Sequence, residues 1–328
     1  MTPFFQLIRY KNLLFLAFIQ LSMQQLIISP LLQKYGFEYI SPDLSLLLLI
    51  IATVCIAAAG YVINDYFDIK IDRINKPEKQ IMGSIITKQQ AMLLHQVLSG
   101  IGIVSGLVLA YGLRSFTLAF LFIVVPGLLW FYSASYKRQF LTGNLIVALL
   151  AGLSVLVVGI AAVADLNHTY ADLVFQTTIP AEIYTWIGGF ALFSFLLTLV
   201  RELVKDMQDV EGDREMECRT VAIVWGENRT KILIYSLVVL IMLLLIGVSK
   251  YFLPFENSLS FRYILFGLIL PLFAFCFLLF KAKNTEALKA AASFVKFVML
   301  LGVLYSFIFY FLLAKEFGLS LFNLFLIK

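Results

Sequence analysis

The sequence predicts an all-α, polytopic membrane protein whose nine transmembrane helices form a bundle, and three observations carry that expectation. Hydrophobic residues make up 61% of the 328 and charged residues only 14%, with a mean hydropathy of +0.94, whereas a soluble domain carries roughly a quarter charged residues. Nine apolar stretches are each long enough to cross a bilayer, which takes about 20 helical residues. Between them the basic residues fall mostly on one side.

In chain order the spans are expected at 13–32, 44–63, 90–111, 115–134, 145–163, 184–203, 232–250, 261–280 and 290–313. In span 2, Ala57-Ala58-Ala59-Gly60 supplies small side chains for close helix packing, which would let spans 2 and 6 bring their acids together. Span 9 contains Lys296, a charge that costs a few kcal/mol at membrane depth; facing a chamber, snorkelling and pairing are all open to it. The apolar tail 316–328 reads as an interfacial helix or a frayed terminus.

The charges set an orientation. With the N-terminus in the cytoplasm, 18 of the 25 Lys and Arg lie on the inner side, and the outer side receives Lys34, Arg114, Lys250, Arg262, Lys315 and Lys328. This asymmetry predicts an inner N-terminus and an outer C-terminus, in the plasma membrane if the host is a prokaryote. The loop between spans 5 and 6, with Asp165, Asp172 and Glu182 but no Lys or Arg, suits the outside. Its Asn167-His168-Thr169 has the form of a glycosylation sequon. The net charge of +5 is then a matter of topology, and no nucleic-acid partner is expected.

Several chemistries are excluded. Cys55, Cys218 and Cys276 are far apart and form no CxxC, so neither a disulfide framework nor a zinc site is suggested. His95 and His168 stand apart, against a histidine metal cluster or a Ser-His-Asp arrangement. The first apolar run is too long for a cleavable signal and lacks a small-residue cleavage site.

Two matched acidic stretches stand out. Asn64-Asp65-Tyr66-Phe67-Asp68-Ile69-Lys70-Ile71-Asp72-Arg73 carries three carboxylates, and the spacing Asp-x2-Asp-x3-Asp-Arg returns in Asp206, Asp209, Asp213 and Arg214. Both lie at the inner ends of even-numbered spans, so spans 2 and 6 look like duplicated units. On a helix, positions i, i+3 and i+7 fall within about 60° of one another. Each triad would line one face if its helix continued, although the last aspartate could already fall in the loop, especially after Gly212. A lone acidic loop reads as solvation of a helix end. Two matched ones on the same side read as a metal–diphosphate clamp at the mouth of an apolar bundle. Converging carboxylates repel and need countercharge. Mg²⁺ suits them, because it takes oxygen ligands and binds through a few carboxylates plus substrate phosphates. Arg73, Lys76, Lys79, Lys137, Lys205 and Arg214 could hold the remaining phosphate oxygens.

These residues resemble the UbiA superfamily of intramembrane prenyltransferases. Asn64-Asp65-x2-Asp68-x3-Asp72 is similar to its first aspartate-rich motif, and Asp206-x2-Asp209-x3-Asp213-Arg214, with Arg219-Thr220-Val221-Ala222-Ile223 and Gly226, to its second. Arg9-x2-Asn12, Asn75-Lys76-Pro77, Gly83, Tyr132-Ser133, Lys137 and Gly143-Asn144 extend the likeness over the first seven spans. Spans 8 and 9 match in hydropathy only.

The resemblance implies one domain over 1–328, nine helices around a central chamber, and a cytoplasmic cap over Mg²⁺-diphosphate. It implies transfer of a polyprenyl group from its diphosphate to a membrane-accessible acceptor. Asn64, Asp65, Asp68, Asp206, Asp209 and Asp213 would take metal directly or through water, with Asp72 completing the set. Arg73, Lys79, Lys137, Lys205 and Arg214 would meet the diphosphate, Tyr132 would lie near the allylic carbon, and Arg9 and Asn12 would edge the pocket. Two departures stand against parts of this set. Lys79-Gln80 replaces the family's Arg-Pro and loses bidentate geometry. Tyr132-x4-Lys137 replaces Tyr-x3-Lys, which makes Tyr136 a competitor.

The chemistry suits the composition. A leaving diphosphate gathers negative charge that Mg²⁺ and basic side chains stabilise, while the allylic cation needs a water-free chamber with aromatic faces. Arg201-Glu202-Leu203-Val204-Lys205-Asp206 and the rest of the second motif are most similar to the branch that prenylates geranylgeranylglyceryl phosphate. Branches acting on aromatic rings, including quinone, chlorophyll or tocopherol precursors, share the Glu-Gly-Asp-Arg ending. A cation-coupled transporter is a further alternative, but secondary transporters usually bind near the midplane, and these acids sit at span ends.

Overall fold

The computed structural model describes residues 3–37, 43–75, 81–83, 85–251, 258–321 and 325–326. Among them nine helices are long and apolar enough to cross a membrane. A short helix α1 (Pro3–Leu7) precedes α2 (Tyr10–Lys34), and α3 (Asp43–Phe67) is followed by the short α4 (Ile69–Asn75). Then come α5 (Lys88–Gly112), α6 (Phe116–Ala134), α7 (Thr142–Tyr170) and α8 (Ile179–Gln208). The short α9 (Val210–Glu215) leads to α10 (Val221–Tyr251), α11 (Leu259–Lys281) and α12 (Thr285–Phe317). The nine expected spans are all present. Most helices outrun them by a turn or two, because hydropathy marks only the part of a helix that faces lipid or core, while polar residues continue the same backbone at either end.

Local sequence accounts for the helix ends. Thr87 and Gln90 close a capping box at the start of α5, and Ser115 and Asn284 accept from the third residue of α6 and α12; each satisfies a backbone donor that the first turn leaves open. Pi-helical turns at Met23–Ile28 and Ile264–Ile269 interrupt α2 and α11. The tail departs from expectation. After Phe317 the chain turns at Gly318 and pairs Ser320–Leu321 with Phe325–Leu326 antiparallel, so it is not an interfacial helix. Gly318 adopts φ 63°, which ends α12 in the way glycine commonly does.

Two large apolar cores hold most of the bundle, beside smaller clusters such as the one around Leu7, Val62, Ile69 and Ala91. One joins α2, α3, α5, α6, α7, α8 and α12 around Met23, Ile27, Val158 and Phe309; the other joins α8, α10, α11 and α12 around Leu203, Ile234, Phe275 and Val298. α8 and α12 belong to both. The Ala57–Gly60 stretch does pack closely, but against spans 3 and 4: the Ala59 carbonyl lies 3.0 Å from His95 Nδ1 on α5, and Gly60 faces Leu129 on α6. It does not bring spans 2 and 6 together, as expected from sequence; that task falls to the short helices. The loop expected outside is tied to span 1, where Lys34 Nζ meets Glu182 at 3.1 Å.

Candidate active site

The two acidic motifs fold alike. α3 and α8 each stop one residue before the second aspartate of the motif, and α4 and α9 resume one residue after it. Backbone bonding continues through both bends. The Asp68 N–H donates to Asn64 O at 3.0 Å and Asp72 N–H to Asp68 O at 2.8 Å; Asp209 N–H donates to Lys205 O at 3.0 Å and Asp213 N–H to Asp209 O at 3.1 Å. Asp72 and Asp213 therefore stay helical instead of falling in loops. Packing of α4 against α9 brings the motifs together at one end of the bundle.

Asn75 and Gly212 make that junction. The Asn75 amide accepts from the Gly212 N–H at 2.9 Å and donates to the Asp209 carbonyl at 3.1 Å. A Cβ on residue 212 would stand 2.7 Å from the Asn75 amide, so only glycine permits this approach.

Each motif presents carboxylates to fixed partners. Arg9 Nη2 donates to Asp65 Oδ1 at 2.8 Å while its guanidinium lies 4.8 Å from the centre of the Tyr61 ring. Arg9 takes φ 52°, ψ 50° at the bend between α1 and α2, a left-handed conformation that is uncommon away from glycine and is worth attention at a site. Burial works against the Arg9 charge, but Asp65, Tyr61 and Glu202 together more than offset it, so the guanidinium holds its proton more firmly than usual. Asp68 accepts from Lys137 Nζ through Oδ1 and from Asn64 Nδ2, at 2.9 Å, through Oδ2. In the second motif Asn144 Nδ2 donates to Asp206 Oδ2 at 2.9 Å.

The departure at Tyr132-x4-Lys137 has a structural answer. After α6 a single 3-10 turn, Tyr136–Arg138, carries Lys137 to Asp68. Gly143 makes room for it, since a Cβ there would stand 2.7 Å from Lys137 Cα and 3.0 Å from the Tyr136 carbonyl. The Arg138 carbonyl also accepts from the Arg219 N–H at 2.8 Å, which ties this turn to the segment after α9. Tyr132 lies within electrostatic range of Asp68, Asp206, Glu202 and Arg9, between the two motifs.

The other expected residues are placed as follows. Arg73 and Arg214 are exposed at equivalent positions of α4 and α9. Asp72, Asp209 and Asp213 are half-buried and engaged. Lys205 turns toward Glu202, 2.8 Å away. Asn12 donates to the Tyr61 hydroxyl at 3.3 Å and accepts from Lys296 Nζ at 2.9 Å. Lys79 and Lys76 lie outside the described residues.

Sequence reasoning gave no role to Glu202, Arg201, Asn144 or Asn75, although all four stand in quoted motifs. Glu202 is buried, 2.9 Å from Arg201 Nη1 as well as close to Lys205. Its signal was position, one turn before Asp206 on the same helix face.

The donor set suits a hard cation. It consists of carboxylate and amide oxygens, as Mg²⁺ requires. Among the described residues no three acidic, His or Cys side chains stand close enough to hold a metal by themselves. Mg²⁺ usually draws part of its oxygen shell from substrate phosphates and water. Asp65, Asp68, Asp206 and Asp209, with Asn64, are the groups that would hold it. On the membrane side of this cluster a narrow apolar cavity of about 30 Å³ is lined by Phe15, Ile19, Phe193, Ser194 and Met299, among others. Phe15 and Met299 lie about one helical turn from Asn12 and Lys296. A larger, open hollow of about 660 Å³ bordered by Tyr111, Arg114 and His168 lies at the other end of α5.

Comparison with known proteins agrees with this architecture. A digeranylgeranylglyceryl phosphate synthase of Sulfurisphaera tokodaii is 35% identical over 213 residues, 65% of this chain and 68% of the relative. A solved digeranylgeranylglyceryl phosphate synthase shares the fold at TM-score 0.59 and 24% identity, over 93% of this chain and 98% of the other. A UbiA homolog from Archaeoglobus fulgidus bound to GPP and Mg²⁺ shares it at TM-score 0.56 and 14% identity, over 93% and 99%. The model of the UbiA prenyltransferase family matches residues 36–301, across the helices that carry both acidic motifs, and the chain belongs to that family.

Proposed function

We propose that this prenyltransferase carries out Mg²⁺-dependent transfer of a geranylgeranyl group from its diphosphate to geranylgeranylglyceryl phosphate, as a single domain over 1–328. The observation that carries the reading is the pairing of the two acidic motifs across Asn75 and Gly212, with Lys137, Arg9 and Tyr132 beside them and an apolar cavity below. The Sulfurisphaera tokodaii synthase supports the choice of acceptor. The Archaeoglobus fulgidus structure with GPP and Mg²⁺ supports the donor and the metal.

In this reading the allylic C–O bond breaks, diphosphate leaves with the electron pair, and the acceptor hydroxyl oxygen forms the new ether bond and gives up its proton to the released diphosphate. Mg²⁺ supplies positive charge against the leaving diphosphate. Lys137, Arg73, Arg214 and Lys79 neutralise its remaining oxygens. Asp65, Asp68, Asp206 and Asp209, with Asn64, hold the metal, and Asp72 and Asp213 complete the acidic lining. Tyr132 lies near the allylic carbon in this reading, where an aromatic face stabilises developing cation. The apolar helices keep water from that cation. The motif end of the bundle and its short helices form a cap facing the cytoplasm, with the C-terminus outside, because the basic residues crowd that side.

The experiment is direct. Purified protein is given geranylgeranyl diphosphate, Mg²⁺ and, in separate reactions, geranylgeranylglyceryl phosphate, 4-hydroxybenzoate, 1,4-dihydroxy-2-naphthoate or homogentisate. Product from the glyceryl phosphate alone supports the reading; preference for an aromatic acceptor overturns it.

A further inference from the structure

Lys296 has no part in the transfer described above, yet it stands beside the site. It lies about three turns into α12, where a charge is costly unless something accommodates it. Its Nζ donates to a neutral partner, Asn12 Oδ1, at 2.9 Å. The charged groups within its electrostatic range are Arg201, Lys205, Arg9 and one acid, Glu202. That acid is already shared, at 2.9 Å from Arg201 Nη1 and 2.8 Å from Lys205 Nζ. Arg9 is committed to Asp65. Lys296, Arg201 and Lys205 thus gather around Glu202, with Asp206 next to Lys205 on α8. Arg201 adds a second sign of an absent partner: its Nε is buried with no hydrogen bond among the described residues.

The position narrows the partner. The cluster draws on α2, α8 and α12, with Arg201 and Lys205 just before Asp206 on α8, whereas Asp65, Asp68 and Lys137 lie at the end of α3, in the bend after it and on the turn after α6. The apolar cavity lined by Phe15, Ser194 and Met299 lies one to two helical turns further along the same three helices. An anion bound by the cluster would leave Asp65 and Asp68 to the donor. A group of three cations with one neutral contact and a buried unpaired guanidinium nitrogen suits a phosphate monoester, which carries about −1.5 to −2 near neutral pH.

We propose that Lys296, Arg201 and Lys205 form an anion subsite, beside the second aspartate motif, that receives the phosphate of the acceptor lipid. The assignment rests on the glyceryl phosphate reading given above. Lys296 is the side chain most open to test, because its one neutral contact makes its removal mild for folding. The subsite also gives a reason for the lysine to sit at this depth: the bound phosphate is its counterion, and Asn12 holds the ammonium in place until it arrives.

The test separates binding from turnover. Wild type, Lys296→Met, Lys296→Arg and Arg201→Gln, in neutral detergent micelles so that no bilayer phosphate competes, are titrated without donor. The ligands are geranylgeranylglyceryl phosphate and its dephosphorylated alcohol. Wild type is expected to bind the phosphate form at least tenfold more tightly than the alcohol. Lys296→Met and Arg201→Gln should lose most of that preference and Lys296→Arg should retain it. In turnover, KM for the acceptor should rise about tenfold or more in Lys296→Met while KM for geranylgeranyl diphosphate stays within about twofold. Equal binding of phosphate and alcohol by wild type overturns the subsite, as does an unchanged preference in both neutralised variants or a matching rise in donor KM. Intact phosphate-dependent binding without turnover would instead overturn the acceptor reading and leave the subsite standing.

Discussion

Asn75 reaches across the two acidic motifs to Gly212, accepting its N–H at 2.9 Å while donating to the Asp209 carbonyl at 3.1 Å. One side chain from the first motif thereby sets the backbone of the second. Losing a buried partner leaves polar groups unsatisfied, at about 1–3 kcal/mol. Asn75→Ala should lower thermal stability by that order and reduce kcat/KM. Gly212→Ala should do the same by forcing the short helices apart. The double variant should be little worse than either single one in a double-mutant cycle. Additive losses would show that the two residues act separately.

Asp68 and Asp209 occupy the same bend in the two motifs. Asp68→Ala or Asp209→Ala is expected to cut turnover by at least about 10²-fold, the scale of removing one preorganised electrostatic group. Both proteins should still elute as folded species in detergent, since the bends are held by backbone bonds that alanine keeps. Near-normal activity in both variants would remove the aspartates from the chemistry.

Chelation should stop the reaction without unfolding the protein. Asp65, Asp68 and Asp206 are already held by Arg9, by Lys137 and Asn64, and by Asn144, so the folded state does not depend on a cation to relieve their repulsion. Excess EDTA should abolish product formation while the melting temperature moves little, and added Mg²⁺ should restore activity. A large drop in melting temperature would mean that the metal is structural.

Gly143 supports Lys137 by leaving space under the 3-10 turn. In Gly143→Ala the new Cβ would meet Lys137 Cα at 2.7 Å, so the turn must shift. A displacement of about 1 Å can cost roughly 10²-fold in rate. The loss should fall on turnover with donor saturating, and Gly143→Ala should resemble Lys137→Met in kinetic profile. A wild-type rate for Gly143→Ala would show that the turn has slack.

The nine spans and both aspartate motifs could be read from the sequence because their signals are local. Twenty apolar residues in a row have one stable solution in a bilayer, a helix that satisfies its own backbone, and a repeated acidic spacing is visible without any fold. The likeness of spans 2 and 6 extends further than the sequence alone suggested, to helix ends one residue before Asp68 and Asp209. Contacts between distant segments were not legible. The small residues Ala57–Gly60 pack toward His95 and Leu129 rather than toward span 6. Nothing in hydropathy marks which neighbour a smooth helix face will meet.

By itself, then, the sequence determined the class of fold, the number of spans and the acidic motifs that mark the site, since each follows from composition and short-range spacing. Tertiary structure alone decided how the site is assembled. It placed Asn75 against Gly212, carried Lys137 to Asp68 on a turn with one extra residue, and put Lys296 beside Arg201 and Lys205. These relationships join residues far apart in the chain, up to 137 positions for Asn75 and Gly212. They arise from how helices pack and from which charges burial leaves without a partner.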